Sequence, residues 1–467
     1  MKDLTQGSIS RHLVATALPI AIGMLFQTLY LLVDLYFVSS LGDAAIAGVS
    51  SAGTAGFVIL ALTQMLGVGT VALVSHAVGR KDQESANLIF NQSVLLSGVC
   101  GVLTLAAGVL LSRAYVSSVA ADAAAAAAGT AYLYAYTPGL ALQFALVALG
   151  SALRGTGIVQ PTMVVQVLTV VVNALLAPVL ISGWGTHHPL GTAGAGLASS
   201  IAVAVGVALL WAYFARLEHY VRLRPAQWRP RAQLIRRIVS IGLPAGGEFF
   251  MMFLILGIMY WVMRGFGPAA QAGFGIGGRM MQALFLPVMA VAFAVAPVAG
   301  QNFGARQYAR VRETFRSAAI LSSVLMLLLT IVCQWRPEVF IYGFSRQPDV
   351  VAVGTSYLRI ISWNFVATGL IFTCSGVFQA LGNTWPSLLS SASRLLTFVV
   401  PLLLLSRLTH FTLTQVWYLS VATVSLQAVT SLVLLMREMR RKLTAPPAAA
   451  GGAASGALPV GPGADAP

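Results

Sequence analysis

Apolar runs of about 20 residues or more follow one another along most of the chain, broken by short polar or Gly/Pro-containing segments. They read at about 12–38, 46–75, 90–112, 129–152, 160–182 and 191–214, then at about 238–263, 273–300, 316–335, 352–379, 384–406 and 414–436. A helix of about 20 apolar residues spans the hydrocarbon of a bilayer, so the pattern predicts twelve membrane helices in two sets of six. The runs do not alternate in polarity, which excludes a membrane β-barrel. The first run is too long for a signal-peptide core and is read as helix 1. A polar stretch, 216–237, predicts a basic linker between an N-terminal lobe over 1–215 and a C-terminal lobe over 238–442. The Ala/Gly/Pro-rich segment 443–467 has no means of building a core and predicts a disordered tail.

Composition narrows the function classes. Of 467 residues, 58% are hydrophobic and 9% charged, and the mean hydropathy is +0.83. Soluble domains carry roughly 25% charged residues, so a soluble enzyme, a disordered protein and a secreted disulfide scaffold are all excluded. Cys100, Cys333 and Cys374 lie inside apolar runs, where thiols act as small hydrophobes; no disulfide or metal cluster is expected. The net charge of +15 is a matter of topology rather than nucleic-acid binding. Twenty of the 28 basic residues fall in the segments on one side of the predicted helices, including seven Arg in 216–237 and four in 306–316. By the positive-inside rule, both termini are expected in the cytoplasm.

The chain also repeats itself. Pro19 and Pro244, Gly42 and Gly267, Gly79 and Gly304, and Pro161 and Pro386 are each 225 residues apart, in similar local sequence. Six helices per half return the chain to its starting side, so the halves are parallel repeats about an axis along the membrane normal. A central cavity between two such lobes is the expected transport route.

The segments VDLYFVSSLGDAAIAGVS, NALLAPVLISGWGTHHPLGTAGAGLASSIA, AGFGIGGRMMQALFLPVMAVAFAVAPVAGQNFGA and GVFQALGNTWPSLL, in that order on a six-plus-six repeat, resemble the MATE (multidrug and toxic compound extrusion) family, its DinF-like branch more than its NorM-like one. The resemblance implies an all-α, twelve-helix, V-shaped transporter that alternates between inward- and outward-open states. It implies a monomeric, multi-pass protein of the bacterial inner membrane that exports amphipathic organic cations against H⁺. A Na⁺-coupled antiporter and a lipid-linked oligosaccharide flippase of the same superfamily are the alternatives. Neither an enzymatic motif nor a nucleotide-binding loop is present, and no cofactor beyond the coupling ion is expected.

Two acids stand inside predicted helices: Asp34 in helix 1 and Glu248 in helix 7. An ionised group at the centre of a membrane helix costs at least about 2.5–3.5 kcal/mol, so it is expected to face a cavity and to function there. Gln27, Tyr30, Asp34 and Phe37 share one helical face. The resemblance places the family's functional aspartate at Asp34. The family's helix-5 pattern, Asn-x-x-x-Asp-Pro, here reads Asn173 to Pro178 with Ala177 in place of the aspartate. Na⁺ favours several hard oxygen ligands, whereas one carboxylate suffices for a proton, so Asp34 with Asn173 and a hydroxyl of Ser199 or Ser200 points to proton coupling. Glu248 is expected to capture cationic substrate, with Gln27, Tyr30, Tyr260, Trp363 and Asn364 as further contacts. Aromatic faces attract organic cations and methionines adapt to varied shapes. Pro19 and Pro244 each remove a backbone hydrogen bond in the first helix of a lobe and are candidate hinges.

Overall fold

The computed structural model describes residues 1–443 apart from 121, 186, 219, 408 and 409. The tail expected over 443–467 therefore lies, from residue 444 onward, outside the described residues. Among the described residues the regular structure is helical throughout. The first repeat holds α1 (Ile9–Ser39), α2 (Asp43–Gly79), α3 (Gln83–Val119), α4 (Ala123–Gly155), α5 (Gln160–Ser182) and α6 (Gly191–Arg216). The second holds α7 (Ala232–Arg264), α8 (Pro268–Gly304), α9 (Tyr308–Trp335), a short α10 (Pro337–Tyr342), α11 (Pro348–Ile361), α12 (Phe365–Ala380), α13 (Trp385–Leu405) and α14 (Leu413–Leu443). Among the described residues twelve spans are long and apolar enough to cross a membrane, with Pro348–Ala380 counted as one span.

Several helices outrun their apolar segments because capping residues supply partners for free backbone N–H groups. Asp82 accepts from the Ser85 N–H at 3.0 Å, which starts α3 well before residue 90. Asp122 does the same for the Ala125 N–H at 2.7 Å at the head of α4.

The tenth span departs from its expected continuity. A 3₁₀ turn at Ser362–Asn364 separates α11 from α12. Side chains of α9 supply what the turn leaves open: Thr330 donates to the Ser362 carbonyl at 2.9 Å, and Gln334 donates to the Arg359 carbonyl at 2.6 Å. A break inside a membrane helix persists only where neighbours satisfy the backbone in this way.

The linker is shorter than expected, because α6 runs to Arg216 and α7 starts at Ala232. It is also held in place by the polar first turns of α3. The backbone N–H groups of Arg222, Arg224 and Arg231 donate to Asn87, Asn91 and Gln92 respectively, at 2.5, 2.8 and 2.9 Å. Asn91 also donates to the Arg222 carbonyl and accepts from the Trp228 indole.

Each lobe buries its own core, but the first turns of α1 and α7 cross over. Ile238, Ile241 and Ala245 at the start of α7 pack with Phe90, Phe144 and Phe214 of the first lobe. Leu4, Ile9 and Leu13 pack with α8, α12 and α14 of the second. Glycines make this close approach of backbones possible. A Cβ on Gly69 would strike the Ile238 carbonyl, one on Gly242 the Met65 carbonyl, and one on Gly79 the Gln301 carbonyl. The N-terminal residues complete the join at the face that carries the start of α1 and the end of α14. Lys2 N–H donates to the Thr156 carbonyl at 2.9 Å, in the first lobe. Leu4 N–H donates to Gln301 Oε1 at 3.0 Å, in the second, while Gln301 Nε2 donates back to the Gly155 carbonyl at 3.0 Å.

Candidate functional site

In the first lobe, Asp34 sits on α1 with only 8% of its surface exposed, and Asn173 on α5 with 1%. The Asn173 amide points at the Ser199 hydroxyl on α6 at 3.4 Å. Tyr30, one turn before Asp34, lies beside Asn173 and Ser199, and Tyr132 and Tyr136 of α4 stand within electrostatic reach of the carboxylate. Three oxygens in this cluster are buried without a hydrogen-bond partner: Asp34 Oδ1, Tyr30 OH and Asn173 Oδ1. Buried polar atoms are nearly always satisfied, so these oxygens single the cluster out as a candidate site. The hydroxyl that joins it is Ser199. Ser200 instead donates to the Ala135 carbonyl at 2.7 Å and ties α6 to α4. Ala177 is fully buried among Val38 and Ile181, so its methyl fills the space where the family pattern has an acid. Gln27 is exposed two turns from Asp34.

Glu248 is in separate surroundings, in a cavity of the second lobe. Its Oε2 accepts from the hydroxyls of Ser375 on α12 at 2.9 Å and Ser387 on α13 at 2.7 Å. The same cavity is lined by Met252, Phe293, Ser391, Arg394 and Gln427. Ser387, Ser391 and Arg394 recur every three or four residues, so α13 turns one polar face inward. Among the described residues no carboxylate pairs with Arg394, and its Nε is buried without a hydrogen-bond partner.

The aromatic contacts expected from sequence are placed elsewhere. Trp363 lies in the 3₁₀ turn, 66% exposed, and Asn364 is buried beside it with Oδ1 unpartnered. Tyr260 stands edge-on to Phe274 at 5.1 Å, in a cluster with Tyr357 and Trp417. None of the three lines the Glu248 cavity; Phe249, Phe293 and Phe372 do. Trp363 and Asn364 lie in the 3₁₀ turn that leads into α12, and the far end of α7 packs in an aromatic core instead. Pro19 and Pro244 both lie within unbroken helices. All three cysteines are free, and among the described residues no three His, Cys, Asp or Glu side chains gather as a metal site.

A model of the MatE family matches residues 19–179 and 244–405. The chain belongs to the MatE family. The two matched segments open at Pro19 and Pro244, so they follow the internal repeat. The chain is 27% identical over 384 residues to a probable multidrug resistance protein, YpnP, of Bacillus subtilis, covering 81% of this chain and 84% of that one. It is 25% identical over 390 residues to the multidrug export protein MepA of Staphylococcus haemolyticus, covering 81% and 83%. An outward-facing multidrug resistance MATE transporter of the MOP superfamily superposes with a TM-score of 0.86 at 24% identity, covering 95% of this chain and 98% of that one. The fold is thus the two-lobe MatE fold, and the protein is a multi-pass membrane transporter rather than an enzyme.

Proposed function

We propose that this MatE protein is a secondary active multidrug exporter that trades amphipathic organic cations for protons by alternating access. The observation that carries the reading is the Asp34 cluster: one buried carboxylate with a free oxygen, beside Asn173, Tyr30 and Ser199, with Ala177 in place of a second acid. A single carboxylate of this kind can exist with or without its proton, and among the described residues no second acid gathers beside it to favour a metal ion. Proton exchange at Asp34 changes which hydrogen bonds α1 makes to α5 and α6, and Pro19 gives α1 a point at which to bend. Glu248 serves as the cation anchor of the second cavity, where Met252 and Phe293 supply adaptable apolar contacts. The names of YpnP and MepA, both of multidrug type, support the substrate range.

The charge distribution supports a chain with both termini in the cytoplasm, and the bacterial relatives support a bacterial inner membrane, in which the reading has the protein working as a monomer. Na⁺ coupling is the competing reading, since Asp34, Asn173 and Tyr30 offer three oxygens in one place. Inside-out vesicles with separately imposed pH and Na⁺ gradients decide between them. Dye transport that follows the pH gradient in Na⁺-free buffer supports protons; a strict Na⁺ requirement with no response to pH overturns them.

A further inference from the structure

The Glu248 cavity contains a second charge of opposite sign. Arg394 is the tenth residue of the 21-residue α13, about 14 Å along the axis from one end and about 17 Å from the other. Its side chain is too short to reach either end of α13 from there, so the guanidinium stays at the level of the cavity. Nor, among the described residues, does an anion pair with it, and its Nε is buried and unpartnered. Holding an unpaired cation at this depth is expensive, and such groups face a cavity and serve a substrate. The internal repeat makes the same point. At the offset of 225 residues, the first lobe has Thr169 in place of Arg394 and Gly23 in place of Glu248. Both charges thus belong to the second lobe alone at these repeat positions.

The two charges are arranged for a dipolar ligand. Ser387, which holds the Glu248 carboxylate, is seven residues before Arg394, or about 10 Å along α13. Ser391 lies between them and accepts from the Gln427 amide at 3.3 Å. Met252, Phe293 and Phe372 supply apolar walls. We propose that this cavity selects zwitterionic amphiphiles, with Glu248 taking the cationic end and Arg394 anchoring a carboxylate at the other. The proposal rests on the reading of the Glu248 cavity as a substrate site and adds the acid-bearing class of substrate. A guanidinium fits a carboxylate through two parallel N–H donors, which a bare ammonium does not match.

Rhodamine B and its ethyl ester test this directly. They share one cationic, aromatic skeleton, and only the first carries a free carboxylate. Affinities of the purified full-length protein for both dyes are to be measured in detergent by fluorescence anisotropy, for wild type, Arg394→Gln, Arg394→Lys and Glu248→Gln. Arg394→Gln is expected to weaken rhodamine B by about tenfold to a hundredfold while the ester changes by less than about twofold. Arg394→Lys, which keeps the charge but not the fork, is expected to fall between. Equal losses for both dyes would assign Arg394 a structural role and overturn the anchor, as would no change for either dye or a wild type that does not bind rhodamine B. Glu248→Gln reports separately on the underlying reading. It should weaken both dyes, and if it is silent while Arg394→Gln remains selective, the cation anchor fails and the carboxylate anchor stands.

Discussion

His76 on α2 donates from Nε2 to the backbone carbonyl of Ala380 on α12, a buried bond of 2.6 Å between residues 304 positions apart. A carbonyl only accepts, so the ring carries its proton on Nε2. The bond joins the two lobes close to the N-terminal strap, where Gly304 also packs against the His76 carbonyl. In the alternating-access reading proposed above, this bond breaks in every cycle. His76→Leu leaves the Ala380 carbonyl without its donor, at about 1–3 kcal/mol. That shifts the balance between closed and open forms of this face by about 5- to 150-fold. Hydrogen exchange of the backbone amides near residues 76–82 and 377–383 should rise accordingly. Unchanged protection at both places would show that the bond does not hold the lobes together.

Gly242 gives a steric version of the same test. Its Cα lies against the carbonyl of Met65, and an added methyl would collide with backbone rather than with a side chain that can move. Gly242→Ala should reduce efflux at least about tenfold while the protein still inserts in the membrane. Gly53, with nothing within 4 Å of an added Cβ, is the control, and Gly53→Ala should transport normally. Normal efflux by Gly242→Ala would mean that the close crossing of α2 and α7 is dispensable.

The linker between the lobes offers a third prediction. Asn91 meets Arg222, Arg224, Gln227 and Trp228, so its side chain fixes most of that segment. Asn91→Ala removes these partners, each loss being about 1–3 kcal/mol where the remaining group stays buried. Trypsin should then cut after Arg222, which Leu223 follows, well before it cuts the wild-type protein. Equal cleavage rates would place the linker's rigidity elsewhere.

Much of this was legible in the sequence because it is local or periodic. Apolar length gives the spans, the 225-residue offset gives the two lobes, and a lone acid in a helix marks Asp34 and Glu248. Arg394 escaped notice among the few arginines lying inside helices, although the row Ser387, Ser391, Arg394 at helical spacing was an available signal. The break at Ser362–Asn364 was hidden because its stabilising partners, Thr330 and Gln334, belong to another helix. Trp363 falls in that break and is largely exposed, so it does not line the cavity. Contacts such as His76 with Ala380, or Gln301 with Leu4 and Gly155, join residues far apart in sequence, and no pattern along the chain announces them.

The central claim is that Asp34 carries the exchanged proton. Asparagine keeps the shape and hydrogen-bonding capacity of the protonated acid but cannot titrate, so Asp34→Asn should insert and fold normally. The decisive measurement is the initial rate of dye transport in proteoliposomes under an imposed pH gradient in Na⁺-free buffer, with and without a protonophore. Wild-type transport should respond to the gradient and collapse when it is dissipated. The Asp34→Asn protein should show no gradient-driven component, its rate being the same with and without the protonophore. Gradient-driven transport at the wild-type rate in Asp34→Asn would contradict proton coupling through this residue.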